Sequence, residues 1–187
     1  MHEEMNVNSE VSELVASVEK ARASVLESLA DLTEAQGAFK PSENEWSIAE
    51  VMEHLYLAEL AGITKVWSAL EDLRADRHWT HELPNRGKTI DEVVAETWKP
   101  KEVAPQIATP FMGGPLRSWC SALGSLTKVL ADLAVELEAR KLDEIIFPHV
   151  LSGPLDARQR LDFLRFHMER HSGQIERIRM EPSFPNE

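Results

Sequence analysis

Residues 116–140 read LRSWCSALGSLTKVLADLAVELEAR, and this stretch carries the clearest structural signal in the chain. Its large apolar residues recur at alternating intervals of three and four, which is the spacing of one face of an α-helix. These positions are Leu116, Trp119, Leu123, Leu126, Leu130, Leu133 and Leu137. A helix with a continuous apolar stripe buries that stripe against other helices, so the stretch predicts one member of a helical bundle.

Three further long segments show the same periodicity, and turn-forming residues separate them. They cover about Ser9 to Leu32, Ile48 to Leu73 and Asp156 to Met180. Ser47 and Asp156 are each followed three residues later by Glu or Gln, which is the capping-box signature of a helix start. No segment alternates apolar and polar residues long enough to predict a strand. The expected fold is therefore an all-α four-helix bundle.

The connection between the second and third helices, Arg74 to Pro115, is unusually long for a compact domain. One short helix is predicted inside it, from Thr89 to Trp98, where Glu92 completes a capping box. This connection is long enough to cross the bundle. The shorter connection before the last helix favours an antiparallel pair of helices three and four. We expect one domain over residues 1–187, with a core at about 10–180.

Composition excludes several classes of function. The formal net charge of −12 argues against affinity for nucleic acid or an anionic membrane, because both need clustered cations. No uninterrupted apolar run is long enough to span a bilayer, and the N-terminal segment lacks the pattern of a signal peptide. Cys120 is the only cysteine, so no intramolecular disulfide can form. A reducing, cytoplasmic location is expected.

Three histidines form a candidate metal site. His167 and His171 are four residues apart on the last helix, so their side chains point the same way and can bind one ion. His54 lies on an apolar face of the second helix and can supply a third imidazole. Three neutral ligands leave coordination positions open, as in catalytic zinc sites. The alternative is a hydrogen-bonded core histidine beside a surface pair.

Three stretches resemble the DinB/YfiT-like superfamily of bacterial four-helix proteins. Residues 46–55, WSIAEVMEHL, are similar to its Trp-Ser/Thr-x-x-Glu-x-x-x-His-Leu opening of helix two. Residues 148–156, PHVLSGPLD, resemble its connection into the last helix. Residues 166–175, FHMERHSGQI, match its closing His-x-x-x-His-x-x-Gln-Ile. The similarity covers roughly residues 10 to 180, and the combination is more specific than any one piece.

The resemblance implies a function for the three histidines. In that family the matching histidines bind a divalent metal, usually zinc or nickel, so His54, His167 and His171 are expected to be the ligands. Family members include transferases that use a low-molecular-weight thiol such as bacillithiol or mycothiol, and others named as metal-dependent hydrolases. Many also pair through bundle faces. The small-molecule partners expected here are accordingly a thiol and an electrophile, and a homodimer is an open expectation.

Three functions follow from these observations. The favoured one is a metal-dependent thiol S-transferase that acts in detoxification, because a bound metal can hold a thiol as the reactive thiolate. The first alternative is a non-catalytic, metal-stabilised helical module for binding or dimerisation. The second is a metal-dependent hydrolase of a small ester or amide, since a bound metal also activates water.

Three further residues are weaker candidates at this site. Glu50 lies one turn before His54 and can orient its ring, although the capping box explains it equally well. Gln174 lies three residues after His171 and can face the site. His149, in the connection before the last helix, can line the entrance and shuttle protons near neutral pH, or it can simply be solvated.

The remaining polar residues that stand out have simpler interpretations. Arg22 interrupts the apolar stripe of the first helix, which suggests a contact with a partner. His78 and His81 flank Trp79 in the long connection, and we expect both at the surface. Cys120 has only Arg117 nearby as a basic residue, so it is expected to be a buried, inert thiol.

Overall fold

A computed structural model of the chain describes residues 2–99 and 103–186 and shows six α-helices and one small β-hairpin in that part. The helices are α1 (His2–Ser28), α2 (Glu34–Ala38), α3 (Ile48–Arg74), α4 (Ile90–Thr97), α5 (Leu116–Leu137) and α6 (Ala157–Arg179), and the strands are β1 (Ile146–His149) and β2 (Gly153–Asp156). Among the described residues, no helix is long and apolar enough to cross a membrane. The predicted all-α fold class is confirmed, since the four long helices form the bundle.

The four long helices enclose one apolar core. Helices α1 and α3 each pack against both α5 and α6, so α1 and α3 lie on one diagonal of the bundle and α5 and α6 on the other. All seven predicted seam positions of α5 are buried. Their partners in the core include Val18 on α1, Leu55 on α3 and Met168 on α6.

The predicted pairing of helices three and four is wrong. The long connection returns to a neighbouring corner, which makes α3 and α5 adjacent, whereas α5 and α6 lie on a diagonal. The physical reason is the secondary structure that forms within residues 138–156. A 3₁₀ turn at Leu142–Glu144 and the β-hairpin occupy this segment, and together they carry the chain across one end of the bundle.

The predicted helix starts are confirmed by their caps. The Ser47 hydroxyl accepts a hydrogen bond from the Glu50 N–H, and the Glu50 carboxylate accepts one from the Ser47 N–H at 2.7 Å. Asp156 and Gln159 form the same reciprocal pair at the start of α6, as do Thr89 and Glu92 at α4. A fourth capping box, at Thr33, begins the short helix α2, which the sequence analysis treats as part of a connection.

The prediction that the chain has no strand is wrong at one place. Strands β1 and β2 pair antiparallel, with Ile146 opposite Asp156 and His149 opposite Gly153. Each strand has only four residues, and each includes a proline, so neither can show a recognisable alternation. Gly153 follows the turn with a φ of 73°, a conformation that favours glycine.

Arg22 lies inside the bundle, so its predicted role in a partner contact is wrong. Its side chain forms ion pairs with Glu59 on α3 and with Glu19 on its own helix. It also donates a hydrogen bond of 2.9 Å to the Thr127 hydroxyl of α5. Burial raises the pKa of Glu59 to about 7, although the Arg22 charge acts in the opposite direction. The ion pair with Glu59 and the hydrogen bond to Thr127 together let Arg22 link three of the four bundle helices.

Replacing Arg22 with Met should lower the free energy of unfolding by about 3–5 kcal/mol at alkaline pH, because Glu59 is left as a buried, unpaired carboxylate. The loss should be smaller at acidic pH, where a proton can neutralise Glu59. Urea unfolding at both pH values measures this difference. The Arg22→Met/Glu59→Met double variant should recover most of the stability. A single-variant loss below about 0.5 kcal/mol, as for a surface substitution, would contradict the prediction.

Candidate metal centre

Helices α3 and α6 bring the three predicted histidines together. His54, His167 and His171 each offer a ring nitrogen that lies within 4.8 Å of the other two. Nε2 of His54 and Nε2 of His167 are 3.1 Å apart. The three residues are 4%, 8% and 9% exposed, so the cluster is shielded from bulk water.

A close approach of α6 to α3 sets this geometry. A Cβ on Gly62 would lie 3.1 Å from Leu164 Cδ2 and 3.3 Å from Arg160 Nη2. His54 faces His167 and His171, whereas Gly62, two turns later on α3, faces residues earlier on α6. The two helices therefore run antiparallel. The small residues after His54 in the sequence indicate this close approach.

Hydrogen bonds to the outer ring nitrogens orient two of the imidazoles. His54 Nδ1 lies 2.6 Å from the carbonyl oxygen of Ala108, and His171 Nδ1 lies 2.8 Å from Oε1 of Gln174. Both oxygens only accept, so each Nδ1 carries the hydrogen and each Nε2 keeps a lone pair. The expectation that Gln174 faces the site is confirmed.

Burial keeps these imidazoles neutral. It lowers the pKa of His171 to about 3 and that of His167 well below its usual range, and it also lowers the pKa of His54. The positive charge of Arg170 lowers the pKa of both histidines on α6 further. Neutral imidazoles are the protonation state in which histidine binds a metal.

The donor set fits a divalent metal ion. The inner nitrogens of His54 and His167 are 3.1 Å apart, so one neutral ring can donate a hydrogen bond to the other, and a cation in the place of that hydrogen would be bound by both lone pairs. In tetrahedral coordination with metal–nitrogen bonds of about 2.0–2.1 Å, the ligand nitrogens are about 3.3 Å apart. Imidazole ligands suit several first-row divalent ions, zinc and nickel among them.

A buried carboxylate holds the long connection over this site. Glu53 is fully buried, and its two oxygens accept hydrogen bonds from the backbone N–H groups of Phe111, Met112 and Gly113 at 2.6, 2.7 and 3.0 Å. These bonds fix the segment that presents the Ala108 carbonyl to His54. Sequence reasoning missed both Glu53 and Ala108, because a side chain that binds distant backbone N–H groups leaves no pattern in the sequence.

A protein-family model described as the DinB superfamily matches residues 17–175. The chain belongs to the DinB superfamily. It is similar to an uncharacterized protein, YuaE, of Bacillus subtilis (strain 168), with 28% identity over 148 residues, which are 75% of this chain and 81% of that protein. No solved structure matches the chain.

In this DinB-superfamily chain, Glu50 does not orient His54. Its carboxylate accepts hydrogen bonds from the Ser47 N–H and from Lys40 Nζ, the latter at 2.6 Å. These bonds lower the pKa of Glu50, although burial acts in the opposite direction. The carbonyl of Ala108 takes the orienting role that the sequence analysis suggested for Glu50.

His149 is near the site, but it is not a proton shuttle at neutral pH. Its Nδ1 accepts a hydrogen bond of 3.1 Å from the Ser152 N–H. Its ring centroid lies 4.6 Å from that of Phe163, whose ring in turn stacks on His167 at 5.5 Å. Burial, and then the charge of Arg160, lower the pKa of His149 to about 3, so this imidazole stays neutral.

The exposed histidines of the long connection lie where the sequence predicts them, whereas Cys120 is less buried than expected. His78 is exposed and pairs with Asp76, and His81 is exposed as well. Cys120 is half-buried, and burial raises the pKa of its thiol, which makes it a poor nucleophile. Trp119 packs in the core of the DinB-superfamily bundle and donates a hydrogen bond to the carbonyl of Gly113.

The neutral His149 should make this protein sensitive to acid. Between pH 6.5 and about 3 the unfolded chain binds a proton at this imidazole that the folded chain does not bind. The free energy of unfolding should therefore be highest above pH 6.5 and should decrease as the pH is lowered from 6.5, by up to about 1.4 kcal/mol per pH unit. Asn at position 149 can still accept the Ser152 hydrogen bond but does not titrate. Parallel pH dependences of urea unfolding for His149→Asn and wild type would contradict this account.

Proposed function

We propose that the protein is a divalent-metal-dependent enzyme that transfers a low-molecular-weight thiol to an electrophile. The metal ligands are His54, His167 and His171. The observation that carries this proposal is the convergence of three buried, neutral imidazoles on one point, two of them oriented by hydrogen bonds to their outer nitrogens. Membership of the DinB superfamily supports it, since the resemblance described above connects these histidines with metal binding.

The residues around the cluster suit nucleophilic chemistry. A divalent ion held by three neutral ligands keeps a net positive charge, and it lowers the pKa of a thiol so that the nucleophilic thiolate persists at neutral pH. The rings of Trp46 and Phe163 pack on His54 and His167, which limits access of water. The transfer itself forms a carbon–sulfur bond, while the leaving group departs with the bonding electrons and the thiol proton passes to solvent.

A metal-stabilised interaction module is a second candidate, and one observation favours it. The connection held by Glu53 exposes four large apolar side chains at its surface, Val103, Ile107, Phe111 and Met112, which are 84%, 60%, 76% and 51% exposed. Apolar side chains grouped in this way mark an interaction surface in many proteins. A homodimer formed through this surface belongs to the second candidate.

A conjugation assay separates the candidates. Purified protein without an affinity tag is loaded with zinc or nickel and incubated with a series of thiols and a generic alkylating electrophile. Thiol-dependent turnover supports the transferase, and turnover of an ester or amide without thiol supports hydrolysis instead. Bound metal with no turnover across thiols, electrophiles and esters supports the interaction module.

Replacing His167 with Ala should abolish metal retention, because two imidazoles and a gap cannot hold a divalent ion against dialysis. Elemental analysis after dialysis measures the metal content. The matched control is His81→Ala, which removes an exposed histidine from the long connection and should leave the metal content unchanged. Full retention of metal by the His167→Ala variant would refute the ligand assignment.

Replacing Glu53 with Gln should weaken metal binding by about 10- to 100-fold, although Glu53 is not a ligand. The change removes a carboxylate oxygen that accepts backbone hydrogen bonds, so the segment that positions Ala108, and through it His54, loosens. Competition with a chelator measures the affinity. Glu50→Gln is the control, since it alters a neighbouring carboxylate that binds only Ser47 and Lys40. Equal affinities in both variants would show that the connection has no influence on the site.

A further inference from the structure

Arg160 is a buried cation without a counter-ion. It lies on α6 about two turns before His167, and only 7% of the residue is exposed. Its Nε and Nη1 atoms are buried and have no hydrogen-bond partner. Among the described residues no carboxylate forms an ion pair with it. The contact that is present is with the face of the Phe163 ring, at 5.8 Å.

This arrangement does not stabilise the fold. A guanidinium taken out of water loses its hydration, and a good ion pair with satisfied hydrogen bonds is needed to compensate. Burial alone lowers the pKa of Arg160 to about 10, which still leaves the side chain charged at neutral pH. A charged group inside a protein that has no partner calls for a ligand, an ion or a water that completes its hydrogen bonds.

The position of Arg160 connects it with the histidine cluster. The ring of Phe163 contacts both the guanidinium of Arg160 and the imidazole of His167. On the facing helix α3, the residues between His54 and Gly62 include the small, half-buried residues Ala58 and Ala61.

The Nη2 atom of the Arg160 guanidinium faces α3 at Gly62. Nη2 lies 3.3 Å from the place that a Cβ on Gly62 would take, so glycine at this position makes the space that the guanidinium occupies. Nη2 forms one edge of the guanidinium with Nε and the other with Nη1. An anion that reaches Nη2 can therefore also satisfy one of the two orphaned nitrogens.

The charged side chains around the histidine cluster also favour an anionic ligand. The chain as a whole carries a formal charge of −12, yet the charges that act on His167 and His171 include those of Arg170 and Arg177. The Arg170 guanidinium lies 5.3 Å from the ring of Trp98, near the same aromatic group. The nearby buried carboxylate, Glu53, is fully engaged by three backbone N–H groups. A locally cationic site in an acidic protein favours an anionic ligand.

We propose that Arg160 binds the carboxylate of a small molecule whose reactive group lies at the histidine cluster. A carboxylate is favoured over other anions because its two oxygens match one edge of a planar guanidinium. The second half of this statement rests on the proposed function and narrows its substrate class to compounds with a carboxylate a short chain away from the reacting atom. The first half, carboxylate binding at Arg160, is independent of the metal.

The metal-independent part is tested on the protein as purified and stripped of metal. The ¹⁵N–¹H signal of Arg160 Nε is identified by its loss in the Arg160→Gln variant and is followed during titration with hexanoate. A saturable shift with hexanoate, and none with hexanamide of the same length, is the expected result. No shift, an equal shift with both compounds, or equal saturation by inorganic phosphate overturns the assignment to a carboxylate.

The second part is tested on protein loaded with cobalt(II), in which a bound thiolate gives a sulfur-to-cobalt absorption band. Thiols that end in a carboxylate are compared with thiols of equal length that end in an alcohol. Wild type should prefer the carboxylate by about tenfold or more at one optimal chain length. Arg160→Met should lose that preference while its affinity for the alcohol stays unchanged. A preference that persists in Arg160→Met overturns the proposal.

A matched control and a stability measurement exclude a structural role. Arg158 is a half-exposed arginine on the same helix and forms an ion pair with Glu10. The Arg158→Met variant should therefore keep the carboxylate preference. Arg160→Met should melt at a higher temperature than wild type, because it removes an unpaired buried charge. A lower melting temperature together with an unchanged preference identifies Arg160 as structural and refutes the proposal. Failure of cobalt to bind refutes the proposed function, while the titration of the stripped protein still decides carboxylate binding.

Discussion

The structure depends on one constraint, which is that a nitrogen from each of three imidazole rings meets the other two in a dry interior. Helices α3 and α6 can approach so closely only because Gly62 presents no side chain to Leu164. The Ala108 carbonyl and the Gln174 amide then fix which nitrogen of two rings points inward. The inner nitrogens of His54 and His167 lie close enough to share a hydrogen or, in its place, a metal ion.

Sequence patterns predict what is local and periodic. The helix starts at Ser47, Thr89 and Asp156 follow from capping boxes, because each box depends on residues only three apart. The four-residue spacing of the last two histidines, at 167 and 171, likewise predicts a shared face. The β-hairpin cannot be predicted, because its strands are too short to show alternation. The diagonal placement of α5 and α6 cannot be predicted either, because it depends on how the hairpin carries the chain across the end of the bundle. The hydrogen bonds that Glu53 accepts from the backbone N–H groups of residues 111–113 have no counterpart in any sequence pattern, because these residues are distant from Glu53 along the chain.

The bundle contains two buried arginines, Arg22 and Arg160, whose surroundings differ. Arg22 has two carboxylates and a hydroxyl around it, so its charge is compensated within the bundle. Arg160 has an aromatic face and a glycine instead. Only the three-dimensional contacts distinguish a cation that connects helices from one that waits for a ligand. These contacts, and not the hydrophobic periodicity, therefore separate a structural arginine from a candidate ligand-binding arginine.

The long connection builds a second, smaller apolar core outside the bundle. Ile90, Val93 and Val94 of α4 pack there with Leu155 and Phe163. Cores of different size open with different free energies, so amide hydrogens of α4 should exchange with solvent sooner than those of α5. Phe163 belongs to this small core, lies on the bundle helix α6 and stacks on His167. Partial opening of the small unit therefore exposes the outer side of the ring that covers the histidine cluster, while the bundle stays folded.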